Sequence, residues 1–87
     1  ILYIEGLGDY IKIHVSDNKF VTNLSMKKIH SLLPQDQFYR THKSFIVSVD
    51  KIESLEGNLV SINGEKLPIG NSYRQDFFAY INKFTAD

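Results

Sequence analysis

The sequence predicts a mainly β domain with two short helices, on three observations. Short runs alternate apolar and polar residues with a period of two, Gly, Asn and Asp residues separate those runs, and only two stretches carry the 3.6-residue period of a helix. The 87 residues make one domain, residues 1–87, with room for a single modest core. The chain opens at Ile1, with no initiator Met, directly into a β pattern, so it is expected to be a piece of a longer protein.

The first strand runs over Leu2 to Ile4 and ends at "EGLGD", whose two glycines permit the positive φ of a loop. A second strand follows over Asp9 to Val15. Tyr10, Lys12 and His14 share one face and Ile11, Ile13 and Val15 the other, as a half-buried strand requires. "SDNK" supplies turn residues before a third strand over Phe20 to Leu24, so these two form a hairpin. Ser25 is a good N-cap, Met26, Ile29, Leu32 and Leu33 follow at helical spacing, and Pro34 ends the helix. His30 lies at the margin of that apolar stripe. From Phe38 the β pattern returns in "FYRTHKSFIVSV", "KIESLEG", "NLVSI" and "KLPI", the last two joined by the tight-turn pair Asn63-Gly64. "NSYRQDFFAYINKF" sets Tyr73, Phe77, Ile81 and Phe84 near one face of a closing helix.

Composition narrows the function classes. With 43% apolar residues, 6 Phe, 5 Tyr and no Cys, the chain suits a globular core in a reducing compartment, which points to the cytoplasm. No apolar stretch is long enough to span a bilayer, and no membrane partner is expected. Ten basic residues balance ten acidic ones, so nucleic-acid binding would need a local patch. Lys27, Lys28, Arg40 and Lys43 fall in the middle third, whereas Glu53, Glu56 and Glu65 fall later.

Catalytic and cofactor chemistry find little support. His14, His30 and His42 lack metal-ligand spacing and have no Cys to complete a site. No Ser sits in a nucleophile elbow, and "GLG" lacks the third glycine and following helix of a phosphate-binding loop. Neither an enzyme nor a cofactor is expected. What remains is three polar points on or beside turns: "EGLGDY" with Gly8, Asp9 and Tyr10; "THKS" with Arg40, His42, Lys43 and Ser44 in and beside it; and "PIGNSYR" with Asn71, Ser72, Tyr73 and Arg74. Polar side chains and open amides there suit phosphates, and Asn71 and Lys43 suit the edges of adenine and guanine. The plainer alternatives are that Asn71 caps the last helix, that Lys43 is a solvated turn charge, and that Arg40 and His42, on one strand face opposite Thr41 and Lys43, form a half-buried polar network.

The order and spacing of "YIEGLGDYIKI", "FYRTHKSFIVSVDKIESL" and "LPIGNSYRQDF", with "MKKIHSLLP" between the first two, resemble the LytTR DNA-binding domain of bacterial response regulators over nearly the whole chain. The resemblance implies an elongated fold of short antiparallel sheets that reads DNA with loops and not with a recognition helix. Its base contacts, carried over, fall on the "GLGDY" loop, on Lys43 and on Asn71, where family members often carry Arg. It also implies double-stranded DNA with direct-repeat sites as the partner, two copies bound to successive major grooves as a homodimer on DNA, and a phosphorylatable receiver domain in the same full-length chain. The chain would then be the output domain of a two-component transcriptional regulator. The alternative from another class is a protein-interaction module docking a partner through its β edges or its C-terminal aromatic helix.

Overall fold

A computed structural model describes residues 1–85, with side chains as far as Lys83. A five-stranded antiparallel sheet is built from β1 (Tyr3–Gly6), β2 (Ile11–His14), β3 (Lys19–Thr22), β4 (Phe38–His42) and β5 (Phe45–Ser48) in the spatial order β3-β2-β1-β5-β4. A three-stranded antiparallel sheet is formed by β6 (Ser54–Glu56), β7 (Leu59–Ile62) and β8 (Glu65–Pro68). Helix α1 (Met26–Leu32) precedes β4, and α2 (Asn71–Thr85) closes the chain. The molecule measures 40 × 25 × 22 Å, elongated as the resemblance implied.

The large sheet is covered on both faces, and its alternation sorts residues between two clusters. Ile4, Ile11 and Ile46 pack with Ile29 of α1 and with Phe38. Their neighbours Tyr3 and Val47 point the other way and pack with Val60, Ile62 and Leu67 of the small sheet and Phe77 of α2. A strand covered twice reads as an unbroken apolar run, which explains "FIV" in β5. Ile46, Val47 and Phe77 have no exposed surface, and burying such a side chain contributes about 1.5–3 kcal/mol.

The strands are shorter than or displaced from their expected bounds. Asp9 and Tyr10 belong to the β1–β2 loop, closed by a 2.9 Å hydrogen bond from the Leu7 amide to the Tyr10 carbonyl. "KIESLEG" divides into a 3-10 turn at Val49–Lys51 and the short β6. Helix α1 forms as expected: the Ser25 hydroxyl accepts from the Lys28 amide at 3.0 Å, and beyond the helix the Gln35 side chain donates to the His30 and Leu33 carbonyls, the His30 carbonyl also accepting from the Leu33 amide. Leu32 corrects the expected stripe, because it is 60% exposed. At 100° per residue Met26 and Leu33 lie on the same side of Ile29 while Leu32 lies on the other, so the stripe turns away from it. On α2, Phe77 is fully buried and Ile81 packs against the same cluster. The Phe84 side chain lies outside the described residues.

Candidate nucleic-acid interface

Antiparallel pairing puts two of the three singled-out turns at one end of the molecule. β1 ends where β5 begins, since Glu5 pairs with Phe45, so the β1–β2 loop and the Lys43-Ser44 turn are neighbours. The Gly6 amide donates to the Ser44 carbonyl at 2.8 Å and fastens them together. The third turn joins from the opposite side: the Gly70 amide donates to the Thr41 carbonyl at 2.8 Å, holding the start of α2 against β4. A side chain at Gly70 would crowd His42 and Tyr73, with a Cβ 3.1 Å from the Tyr73 ring, so the ring would have to shift by a few tenths of an ångström to admit it.

The Lys43-Ser44 turn has an uncommon construction. A two-residue hairpin turn usually needs positive φ to match the twist of its strands. Neither Lys43 nor Ser44 has positive φ. The mismatch falls just before the turn, where Arg40 pairs with Ile46 and His42 with Phe45, leaving Thr41 as an extra, bulged residue. Thr41 is fully buried, and its hydroxyl has no hydrogen-bond partner.

This bulge corrects the expectation that Arg40 and His42 share one strand face. Both are half-buried, but each has its own partners and no hydrogen bond joins them. The Arg40 guanidinium donates from Nη2 to the Lys43 carbonyl at 2.7 Å and lies 5.9 Å from the centroid of the Tyr73 ring. Its Nε is buried without an acceptor. His42 Nδ1 accepts from the Ser44 amide at 3.0 Å, which requires a lone pair on that nitrogen, and the ring packs against Phe45. Both residues therefore hold the turn from within.

Lys43 itself is exposed, and its ammonium group forms no ion pair among the described residues. Asn71 is also exposed, is the first residue of α2, and makes no side-chain hydrogen bond. That removes the capping alternative, since a cap must accept from the first turn of the helix. Gly8 has φ +83, and Gly8, Asp9 and Tyr10 are all exposed, Tyr10 by 41%. Ser72 is exposed beside Asn71. Arg74 turns away from this end: it bonds the Asn58 side chain on the small sheet and covers the Phe78 ring at 5.5 Å. Tyr73 is half-buried beneath Arg40. The surface of this end is thus Gly8, Asp9, Tyr10, Lys43, Asn71 and Ser72, with Arg40, His42, Ser44 and Tyr73 as its support. Sequence reasoning missed Gly6 and Gly70, whose amides join the three turns; "YIEG" and "PIG" gave only the weak signal of a glycine beside a strand end.

The chain is similar to known proteins over most of its length. The family model described as LytTr DNA-binding domain matches residues 1–82. The sensory transduction protein LytT of Bacillus subtilis is 23% identical over 82 residues, 87% of this chain and 34% of its own length. The transcriptional regulatory protein LytR of Staphylococcus aureus is 26% identical over 87 residues, 90% of this chain and 35% of its own. The CO-responsive transcriptional regulator RcoM of Rhodospirillum rubrum is 27% identical over 79 residues, 83% of this chain and 34% of its own. The chain therefore spans about a third of the length of these relatives. A solved LytTr DNA-binding domain from Bacillus cereus superposes with a TM-score of 0.81 at 28% identity, covering 100% of this chain and 82% of the other.

Proposed function

Because this chain belongs to the LytTr DNA-binding domain family, we propose that its three-turn end binds duplex DNA sequence-specifically in the major groove. The observation that carries the reading is that Lys43 and Asn71, able to bridge the edges of guanine and adenine, stand exposed and without a side-chain partner among the described residues, on a turn and a helix start that the Gly70–Thr41 backbone hydrogen bond brings together. The "GLGDY" loop supplies the third contact. The open amides of Asn71 and Ser72 at the start of α2 suit a phosphate, which would set the register without specifying sequence. Arg40, His42 and Ser44 act here as supports of the turn.

The relatives' names support an output role in transcription control, with LytT as a sensory transduction protein and LytR as a transcriptional regulator. RcoM, named for its response to CO, suggests that this kind of domain serves more than one input. In this reading the chain is the output part of a cytoplasmic two-component regulator with a receiver domain. Two copies occupy direct repeats on one face of the duplex. No described helix is long and apolar enough to cross a membrane. A second reading rests on edge strand β3, where Phe20 is 54% and Val21 60% exposed, a row able to take a partner strand.

Selection of bound duplexes from a random pool, followed by affinity measurements across salt concentrations, tests the proposal. DNA reading predicts a recovered consensus and a log–log slope of about −0.9 for each phosphate neutralised. No consensus and a flat salt profile would favour the β3 edge as a protein-docking site.

A further inference from the structure

A cleft of about 460 Å³ opens between β4, the end of α1 and one face of α2; it shares Arg40, Ser72 and Tyr73 with the three-turn end, while His30, Tyr39, Asp76 and Tyr80 have no part in the DNA-binding reading. Its volume is in the range of small-molecule sites, and its lining combines flat apolar walls with a few convergent polar groups, as such sites do. Tyr39 and Tyr80 form one wall, with ring centroids 4.6 Å apart, and Tyr73 lies beneath Arg40.

The polar groups have a definite arrangement of charge. Arg40 contributes a cation whose buried Nε has no acceptor among the described residues. Asp76 lies one helical turn beyond Tyr73 on the same side of α2 and forms no ion pair among the described residues. Its charge reaches into the cleft: burial, then Asp76 and Tyr80, push the Tyr39 phenol up from its usual range. His30 lines the same cleft, and burial, then Arg40, lower its imidazole pKa from the usual range. One cation and one carboxylate beside aromatic walls complement a small molecule that carries both charges and a ring.

We propose that this cleft binds a free aromatic amino acid or a close derivative, with its carboxylate on Arg40, its ammonium group toward Asp76 and its ring against Tyr39 and Tyr80. The same guanidinium that takes the carboxylate donates to the Lys43 carbonyl, and Tyr73 stands two residues from Asn71, so occupancy is felt at both turns. The consequence for DNA rests on the function proposed above. The binding itself does not.

Titration of the isotope-labelled 87-residue chain with L-phenylalanine, followed by NMR, tests the site without DNA. Saturating shifts are expected at the Arg40 Nε–H and the Tyr73 and Asp76 amides, extending to Lys43 and Ser44, with Kd on the order of 1 mM or tighter. Two half-ligands separate the charges: 3-phenylpropionate lacks the ammonium group and phenethylamine lacks the carboxylate, and each should bind more weakly than L-phenylalanine. Asp76→Asn, at an exposed position, should weaken L-phenylalanine roughly tenfold, a single ion pair's worth at a half-open site, and leave 3-phenylpropionate unchanged. Shifts that fail to saturate by roughly 10 mM, or that map away from the cleft, would overturn the site. Saturating shifts that stop short of Lys43 and Ser44 would overturn its coupling to the turn.

Discussion

Two turns, Lys43-Ser44 and Asn63-Gly64, each close an antiparallel hairpin with two residues, and they are built in opposite ways. Asn63 and Gly64 take φ values of +51 and +82, the local geometry a tight hairpin asks for, and Asn63 reaches Ser16 at the far end of β2. Their turn takes its backbone shape from its own two residues, and hydrogen bonds to Ser16 and to the Glu53 carboxylate add to it. Lys43-Ser44, at the other end of the large sheet, has no positive φ and depends on a bulge at Thr41 and on hydrogen bonds involving Gly6, Arg40, His42 and Gly70. A turn held from outside itself leaves its tip free, and Lys43, the base reader proposed above, stands there.

The largest change should erase the difference between the two turns. Ile46, fully buried under the braced turn's strand, supports the whole large sheet, so Ile46→Ala should cost about 2–5 kcal/mol and melt both ends together. Chemical denaturation measures it; a wild-type midpoint would mean that the cluster around Ile46 repacks. Arg40→Met keeps the apolar stem and removes the donor to the Lys43 carbonyl, so it should loosen only the braced turn. Hydrogen bonds from charged groups contribute about 1.5–3 kcal/mol, and part of that loss should appear as weaker preference at the base pair read by Lys43. Equal weakening toward all DNA sequences would instead indicate a phosphate contact by Arg40.

Gly64→Ala strains the other turn, since an L side chain at φ +82 costs about 1–2 kcal/mol. Stability should fall by that amount while DNA affinity of the folded protein stays unchanged. A loss of affinity would bring the Asn63 end into the interface. The smallest effect concerns pH. Burial, with Arg40 second, lowers the His30 pKa, so between about pH 6.5 and that lower value the unfolded chain binds more protons than the folded one. Stability should therefore decline as pH falls through this window, and His30→Gln should flatten that part of the profile.

The contrast between the turns also explains what was legible in the sequence. Asn63-Gly64, the Ser25 cap, the stop at Pro34 and the Phe77 face were readable because each rests on chemistry within a few residues. The bulge was not, because Thr41 acquires its place from β5 across the hairpin and from Gly70 nearly thirty residues away. Alternation alone put Arg40 and His42 on one face. Lys43 was placed correctly in a turn and Asn71, placed on or beside one, is the first residue of α2, but that their side chains lack partners among the described residues became visible only once Arg40, His42 and Gly70 were seen to supply the local hydrogen bonds. Leu32 failed for a simpler reason: a two-turn helix has too narrow a buried stripe for every apolar residue near it.

The central claim is that the braced end reads bases with Lys43 and Asn71 while its supports only hold them. The most direct measurement is a double-mutant cycle of Lys43→Ala and Asn71→Ala, with affinities for a selected duplex and for unrelated DNA at fixed salt. Each single change should leave the melting temperature at the wild-type value, weaken specific binding by about 1–3 kcal/mol with a smaller effect on unrelated DNA, and add nearly independently to the other. Uniform weakening toward every sequence, or no change in affinity at all, would contradict the claim.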